Sequence, residues 1–282
     1  MTASPGALDS RPLRGFFTRR YGHTSLRVGV ATTWLSIIVL LPLAAIVWQS
    51  AGGGWSAFWA AITSNAAIES FRVTLTVSTA VTVLNLVFGL LIAWVLTRDE
   101  FPGKRFVDAI IDLPFALPTI VASLVMLALY GPNSPVGVHI QQTIWGIGIA
   151  LAFVTLPFVV RSVQPVLLEL DHEVEEAAAS LGADNLTIFR LVILPALMPS
   201  LLSGAGLAFS RAIGEYGSVV LIGGAVPGET EVSSQYIRQL IEFDDRTGAA
   251  AVSIVLLTVS FLVLLVLRTI GSRAAKREEL DQ

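Results

Sequence analysis

Arg211 and Glu215 sit one helical turn apart inside a long apolar stretch, with Ser210 and Gly214 beside them. A charge at mid-bilayer costs from about 2.5 kcal/mol to far more, so this pair must face protein or water. Three roles are open to it: an internal ion pair that pins helices, a gate whose pairing changes between conformations, or direct coordination of an anion by the arginine. The last is disfavoured, because tight binding inside a pathway opposes release. Covalent chemistry lacks its parts elsewhere. Gly103-Lys104 is followed by Arg105 and has no upstream glycine, so it is not a phosphate-binding loop. Ser203 and Ser218 adjoin glycines, yet His23, His139 and His172 all fall outside the apolar runs. Without a histidine base or a paired intramembrane aspartate, an intramembrane protease is disfavoured. A self-powered secondary transporter needs coupling carboxylates near the midplane and often shows two related halves. Glu215 is the one candidate for that role, and no internal repeat is evident. Neither a catalytic residue nor a metal site is expected, and the chain has no cysteine for a disulfide or thiolate centre.

The elements that position this pair follow from composition. With 54% hydrophobic and 14% charged residues and a mean hydropathy of +0.74, the 282-residue chain reads as an all-α polytopic membrane protein. A net charge of -3 and scattered basic residues exclude a nucleic-acid partner. Runs of roughly 20 apolar residues, enough to cross a bilayer core, occur six times: approximately 28–48, 73–97, 113–130, 144–160, 191–221 and 249–267. The fifth is too long for one simple span. A leader, 1–27, precedes the first span, which exceeds a signal peptide's apolar region and is expected to be retained as an anchor. A tail, 269–282, follows the membrane-spanning region 28–268.

Lysine and arginine set the orientation, because cytoplasmic loops carry the excess. Of the 18 basic residues, only Arg72, Arg238 and Arg246 fall on the other side, and Arg211 lies within a span. Both termini and the loop 161–190 are therefore expected in the cytoplasm. In that loop Asp171 suits a helix N-cap, Glu173 and its neighbours suit the positive end of the helix dipole, and Val174, Ala178 and Leu181 fall on one face. Gly182 suits a left-handed stop, and Asp184 suits the cap of a second short helix carrying Leu186 and Phe189. Two short helices at an angle are expected. The loop's many carboxylates fit a basic protein partner better than an anionic lipid surface.

Other segments read structurally first. Thr74, Ser78, Thr82, Asn85 and Gly89 form a small or polar stripe suited to helix packing, and Gly206, Ser210 and Gly214 form a small-residue face. Pro114, Pro118 and Pro157 are expected to interrupt their spans. Residues 225–247 read as a solvated outer loop, with contact to a soluble binding protein as the alternative.

Glu176-Ala177-Ala178, Gly182 and then Val192-Ile193-Leu194-Pro195, nine residues further on, resemble the signature of permease subunits of ATP-binding-cassette importers, with Val192 where isoleucine is usual. Asp112-Leu113-Pro114-Phe115-Ala116-Leu117-Pro118, Ala208 through Gly217, and Pro227-Gly228-Glu229-Thr230 are most similar to the sulfate/thiosulfate permeases of the T type, and molybdate permeases have similar segments. The resemblance implies a type I importer permease in a bacterial cytoplasmic membrane, importing sulfate or thiosulfate, with molybdate or another oxyanion as the alternative. It implies that Glu175, Glu176, Ala177, Ala178, Gly182, Leu194 and Pro195 serve coupling to an ATPase. It further implies a second permease subunit, sibling or identical, two ATPase copies and an external sulfate-binding protein. ATP and magnesium would be bound by the ATPase, leaving no cofactor in this chain.

Overall fold

The computed structural model describes residues 18–281, with side chains described for 26–272. The leader's first 17 residues, including Arg11 and Arg14, and Gln282 of the tail lie outside the described residues. Among the described residues every regular element is helical. The chain divides into two compact units, 1–49 and 50–282.

The first unit holds α1 (Thr18–Leu35), a π-helical segment Ser36–Leu40, and most of α2 (Leu41–Ala51). The Leu41 N–H reaches back to the Ser36 carbonyl, a one-residue overshoot that comes just before Pro42, which has no N–H to donate.

In the second unit, α3 (Gly54–Ile62) leads to α4 (Asn65–Arg98), which starts where the Ser64 hydroxyl accepts the Ala67 N–H at 3.2 Å. The polar stripe of α4 is buried as its spacing predicts, and it packs on α8 (Ile144–Glu169). Asn85 Nδ2 donates to Thr155 Oγ1 at 2.8 Å and to the Ala152 carbonyl at 3.1 Å. One turn on, a Cβ at Gly89 would fall 2.8 Å from Val159 Cγ1, so glycine is what lets the helices meet.

Proline behaves in two ways. Pro157 and Pro165 lie within α8 and do not break it, contrary to the expectation for Pro157, and the helix runs nine residues past the end of the apolar run at 160. Neighbouring helices bury Pro157, a setting that tolerates the lost backbone bond. Pro118 does break its span. It forces Leu117 to an extended ψ of 134°, so the third run becomes α6 (Leu113–Ala116) and α7 (Thr119–Tyr130), with α5 (Lys104–Ile111) ahead of it. Among the described residues five helices are thus long and apolar enough to cross a membrane, and the 12-residue α7 is a shorter apolar one.

After α9 (His172–Ser180), the chain forms α10 (Asn185–Ile188), a π-helical segment Phe189–Ile193, and α11 (Leu194–Ile213). The expected second short helix is instead the opening turn of one run, 185–213. The π segment carries it to Pro195, as its counterpart does at Pro42: the Leu194 N–H bonds the Phe189 carbonyl five residues back. The fifth apolar run does exceed its helix, and residues 214–232 are irregular before α12 (Ser233–Glu242) and α13 (Arg246–Asp281). A Cβ at Gly206 would lie 3.7 Å from Leu267 Cδ1 and 3.9 Å from Leu264 Cα of α13, as a small-residue face should. Gly204 gives the closer approach, to α8.

Two buried clusters hold the bundle. One joins Leu96, Val160, Val163, Leu167, Ile188, Ile193 and Leu197 at the α9 end. The other joins Val73, Val77, Met126, Ile147, Val219 and Ile222 at the opposite end. Outside, Val83, Val87, Phe88, Phe261 and Leu262 remain exposed, as surfaces meeting lipid do. A Cβ at Gly204 would lie 3.1 Å from Val159 Cα and Ser162 Cβ. Gly204→Val is therefore expected to destabilise the bundle by about 1–3 kcal/mol, read as a lower unfolding temperature in detergent, whereas Gly148→Ala, which meets open space, should leave it unchanged.

Candidate functional site

The loop between α8 and α11 forms a built ridge. Asp171 caps α9 by accepting the Glu173 N–H at 2.9 Å. The helix ends with the Gly182 N–H on the Ala179 carbonyl at 2.9 Å and the Ala183 N–H on the Ala178 carbonyl at 3.1 Å, and Gly182 takes φ +90°. That paired closure needs a left-handed residue, and the apolar contact that accompanies it is present, since Ala178 and Ala183 pack on the same cluster. Asp184 then caps the next helix, accepting the Thr187 N–H at 3.1 Å. Its hydrogen bonds from Thr187 hold its carboxyl below the usual range.

The inner face of α9 is Glu175 and Ala178, which corrects the expected grouping of Val174, Ala178 and Leu181. Glu175 pairs with Arg98, the last residue of α4, and both side chains are largely shielded, at 21% and 11% exposure. Arg98 also donates to His172 Nδ1 at 2.8 Å and lies 5.4 Å above the Trp94 ring. Trp94 in turn meets Phe189 edge-on at 5.7 Å. One guanidinium thus fastens α9 to α4, a connection the sequence reading missed, since Arg98 served there only to orient the chain.

The outer face is apolar with an acidic border. Leu181 is 91% exposed, Val174, Leu186 and Leu191 are exposed, and Glu173 and Glu176 stand beside them. Ala177 and Gly182 are exposed on this ridge as well. Leu194 and Pro195 are half-buried at the start of α11, with Leu194 against the inner cluster, so they shape the helix and do not belong to the ridge.

A second fastening was also missed. Arg161 donates from Nε and Nη2 to the Asp112 carboxylate at 2.8 and 2.7 Å, and from Nη1 to Asp108 Oδ1 at 2.6 Å and Gln164 Oε1 at 2.6 Å. This ties the broken third run to α8, which leads directly into α9. Hydrogen bonding from Arg161 keeps the Asp108 carboxyl below its ordinary range. The available signal was that Asp112 and Arg161 both fall at the same membrane face in the span order.

Arg211 and Glu215 do meet, at 2.8 Å, with the arginine side chain 39% exposed and the glutamate 1% exposed. Glu215 Oε1 also accepts the Ser218 N–H at 2.8 Å, and the Glu215 carbonyl accepts from Ser234 Oγ at 2.7 Å. Glu215 is therefore a pin for the irregular segment after α11. The Ser123 hydroxyl accepts the Leu221 and Ile222 N–H groups at 3.0 and 3.3 Å, and a Cβ at Gly217 would fall 2.0 Å from Thr119 Oγ1. Irregular backbone is thus buried in protein, as hydrocarbon surroundings require. Ser210 and Ser218 keep buried hydroxyls without partners, while Gly214 is exposed. The region 225–247 is not a merely solvated loop: it contains α12, and Glu231, Ser233 and Gln235 are buried. Among the described residues no three His, Cys, Asp or Glu side chains gather as a metal site.

Residues 85–276 match the family described as "Binding-protein-dependent transport system inner membrane component". The chain is 42% identical over 260 residues to the sulfate transport system permease protein CysT of Salmonella typhimurium, covering 90% of this chain and 94% of the relative. It is 43% identical to the Synechocystis sp. protein of that name, over 84% and 86% of the two chains. It is 40% identical to the probable counterpart of Nephroselmis olivacea, over 96% and 98%. Among solved structures, a chain of a bacterial ABC transporter involved in alginate import superposes with a TM-score of 0.73 at 17% identity, covering 90% of this chain and 96% of that one. The inward-facing MetNI methionine transporter gives 0.59 at 21% identity, over 73% and 95%. At these identities the structures speak for the fold alone.

Removing the Arg98 guanidinium leaves Glu175 without its partner, a loss of about 1–2 kcal/mol for a partly shielded pair. Arg98→Ala is expected to lower amide-exchange protection in 172–180 about tenfold while leaving α8 unchanged; equal protection in both proteins would show that the pair does not hold α9.

Proposed function

This chain belongs to the family of binding-protein-dependent transport system inner membrane components, and from that membership we propose that it is the permease subunit of an ATP-driven importer carrying sulfate across a bacterial cytoplasmic membrane. The observation that carries the coupling half of this reading is the ridge on α9: exposed Val174, Leu181 and Leu186 with an acidic border of Glu173 and Glu176, held to α4 from behind by Arg98. An apolar knob ringed by carboxylates suits a groove with basic edges on an ATPase subunit. The sulfate assignment is supported by relatives named as sulfate permeases at 40–43% identity, and thiosulfate shares the same tetrahedral anion chemistry.

In this reading two ATPase copies bind ATP and magnesium and supply the work, a second permease subunit completes the pathway, and an external binding protein delivers the anion. The leader 1–27, the ridge and the tail 269–282 face the cytoplasm, and 225–247 faces outward. This chain forms no covalent intermediate. Movement of the ATPases displaces α9, and α8 and α4 carry the displacement into the bundle. Arg211, half-exposed beside the buried Glu215, belongs to a gate in which the glutamate positions the arginine.

In cells lacking only this chain, radiolabelled sulfate uptake is expected to be lost and regained on restoration, with competition by thiosulfate and little by molybdate. Glu176→Lys, or Gly182→Val at its left-handed backbone, should still insert yet reduce uptake at least tenfold, because a lost interface anchor costs about 2 kcal/mol or more. Normal uptake in both variants would remove the ridge from coupling, and dominant competition by molybdate would replace sulfate as cargo.

A further inference from the structure

At the end of the bundle away from the ridge, a cavity of 220 Å³ is lined by Tyr216, Glu231, Gln235, Arg238, Gln239 and Glu242, with two small apolar residues. Its charges are unequally served. Arg238 is committed: it pairs with Glu242 at 2.7 Å, donates to the Tyr216 hydroxyl, and stands 5.7 Å from the Tyr216 ring. Glu231 is only 4% exposed, yet among the described residues no cation and no hydrogen-bond donor meets its carboxylate. Burial alone pushes that carboxyl above its usual range. The turn before α12 sets Glu231 at the cavity: the Val226 carbonyl accepts the Thr230 and Glu231 N–H groups, and Thr230 Oγ1 accepts the Val226 N–H at 3.1 Å. That carboxylate is shielded by the fold and lines the cavity, so a cation entering the cavity would supply the partner it lacks.

From this the geometry points to a site for one ammonium group, and the occupant we assign is a lysine side chain of the extracytoplasmic binding protein, seated between Glu231 and the polar edge of α12 when the two proteins dock. The assignment rests on the import reading above, which places this end of the bundle on the side from which the anion is delivered. Three features select the ligand. Glu231 and Glu242 outnumber Arg238, leaving the cavity one negative charge to be balanced. The volume admits a single extended side chain, while a helix, about 10–12 Å across with its side chains, is excluded. An ammonium offers three N–H donors, and the carboxylate, the Tyr216 hydroxyl oxygen and a Gln239 amide oxygen are the acceptor types at hand. The pairing serves orientation as well as affinity, since Glu231 lies two residues before α12 and Glu215 is tied to that helix through Ser234. Docking at the cavity is thereby linked to the Arg211 and Glu215 pair.

The test uses the complete importer in lipid nanodiscs, with ATP hydrolysis followed as sulfate-loaded binding protein is titrated. Glu231→Gln is expected to raise the half-stimulating concentration on the order of 30-fold, the loss seen when a desolvated charge pair is broken, without changing maximal stimulation. Glu231→Asp should recover part of it. Binding protein with acetylated lysines should show the same rise against the wild-type importer and no further rise against Glu231→Gln. Because Glu231→Gln removes an unpaired buried charge, it should unfold no earlier than wild type, and Gln239→Lys, which supplies an ammonium within the chain, should weaken docking similarly. A normal titration for Glu231→Gln, or additive losses with acetylated protein, overturns the site while leaving the importer reading intact. Failure of binding protein to stimulate even the wild-type complex would overturn both.

Discussion

A displacement applied to a surface helix does work on a bundle only if that helix is fastened to it, and here the fastening is one guanidinium. Arg98 closes α4, binds Glu175 and His172 of α9, and lies on Trp94. The pair is shielded by its own aromatic neighbour, so it is less screened by solvent than an exposed surface bridge and holds a definite geometry. Behind it, α4 meets α8 through the Gly89 contact and the Asn85 to Thr155 bond, and α8 meets α11 at Gly204. Small residues at these crossings let helix backbones approach closely enough for dispersion to hold them where no hydrophobic drive exists between lipid-embedded helices. The ridge and the bundle therefore form one mechanical path, and the Arg161 contacts to Asp108 and Asp112 add the broken third run to it.

Much of this was legible from residue types. Asp171, Gly182 and Asp184 are strong local signals because each satisfies or terminates helix ends through its own side chain or backbone freedom, and all three act as their chemistry predicts. The α4 stripe was legible because polar and small residues at helical spacing have nowhere to go in lipid but inward. The partners of Arg98 and Arg161, and those of Glu215 beyond Arg211, were not legible, since each reaches another element or an irregular segment whose path no local pattern encodes. Proline was ambiguous for a physical reason. Pro157 lies buried inside α8 among neighbouring helices, whereas Pro118 is exposed and stands at the start of α7 after an extended Leu117, a difference of setting that the residue type does not reveal. Ala178 misled because an alanine fits either face of a short helix, and only the closure at Gly182 decides which face turns inward.

The two ends of the bundle solve opposite problems. At the ridge end, apolar side chains are displayed where a partner can cover them. At the other end, much of the irregular backbone from Glu215 to Gly224 is drawn into the protein, with Ser123, Thr119 and Glu215 accepting or crowding its amides. Glu215, the residue that most suggested a membrane-depth function, is foremost a support for that segment. Arg211, paired with it at 2.8 Å, is the more exposed member of the pair.

The most direct measurement of the central claim uses the fact that the chain has no cysteine. A single thiol introduced by Leu181→Cys, at the most exposed apolar point of the ridge, can carry a short photoactivatable crosslinker in native membranes. The account predicts a covalent adduct with the ATPase subunit whose yield changes when ATP is trapped. Crosslinking to lipid alone, or an adduct with the external binding protein, would contradict it.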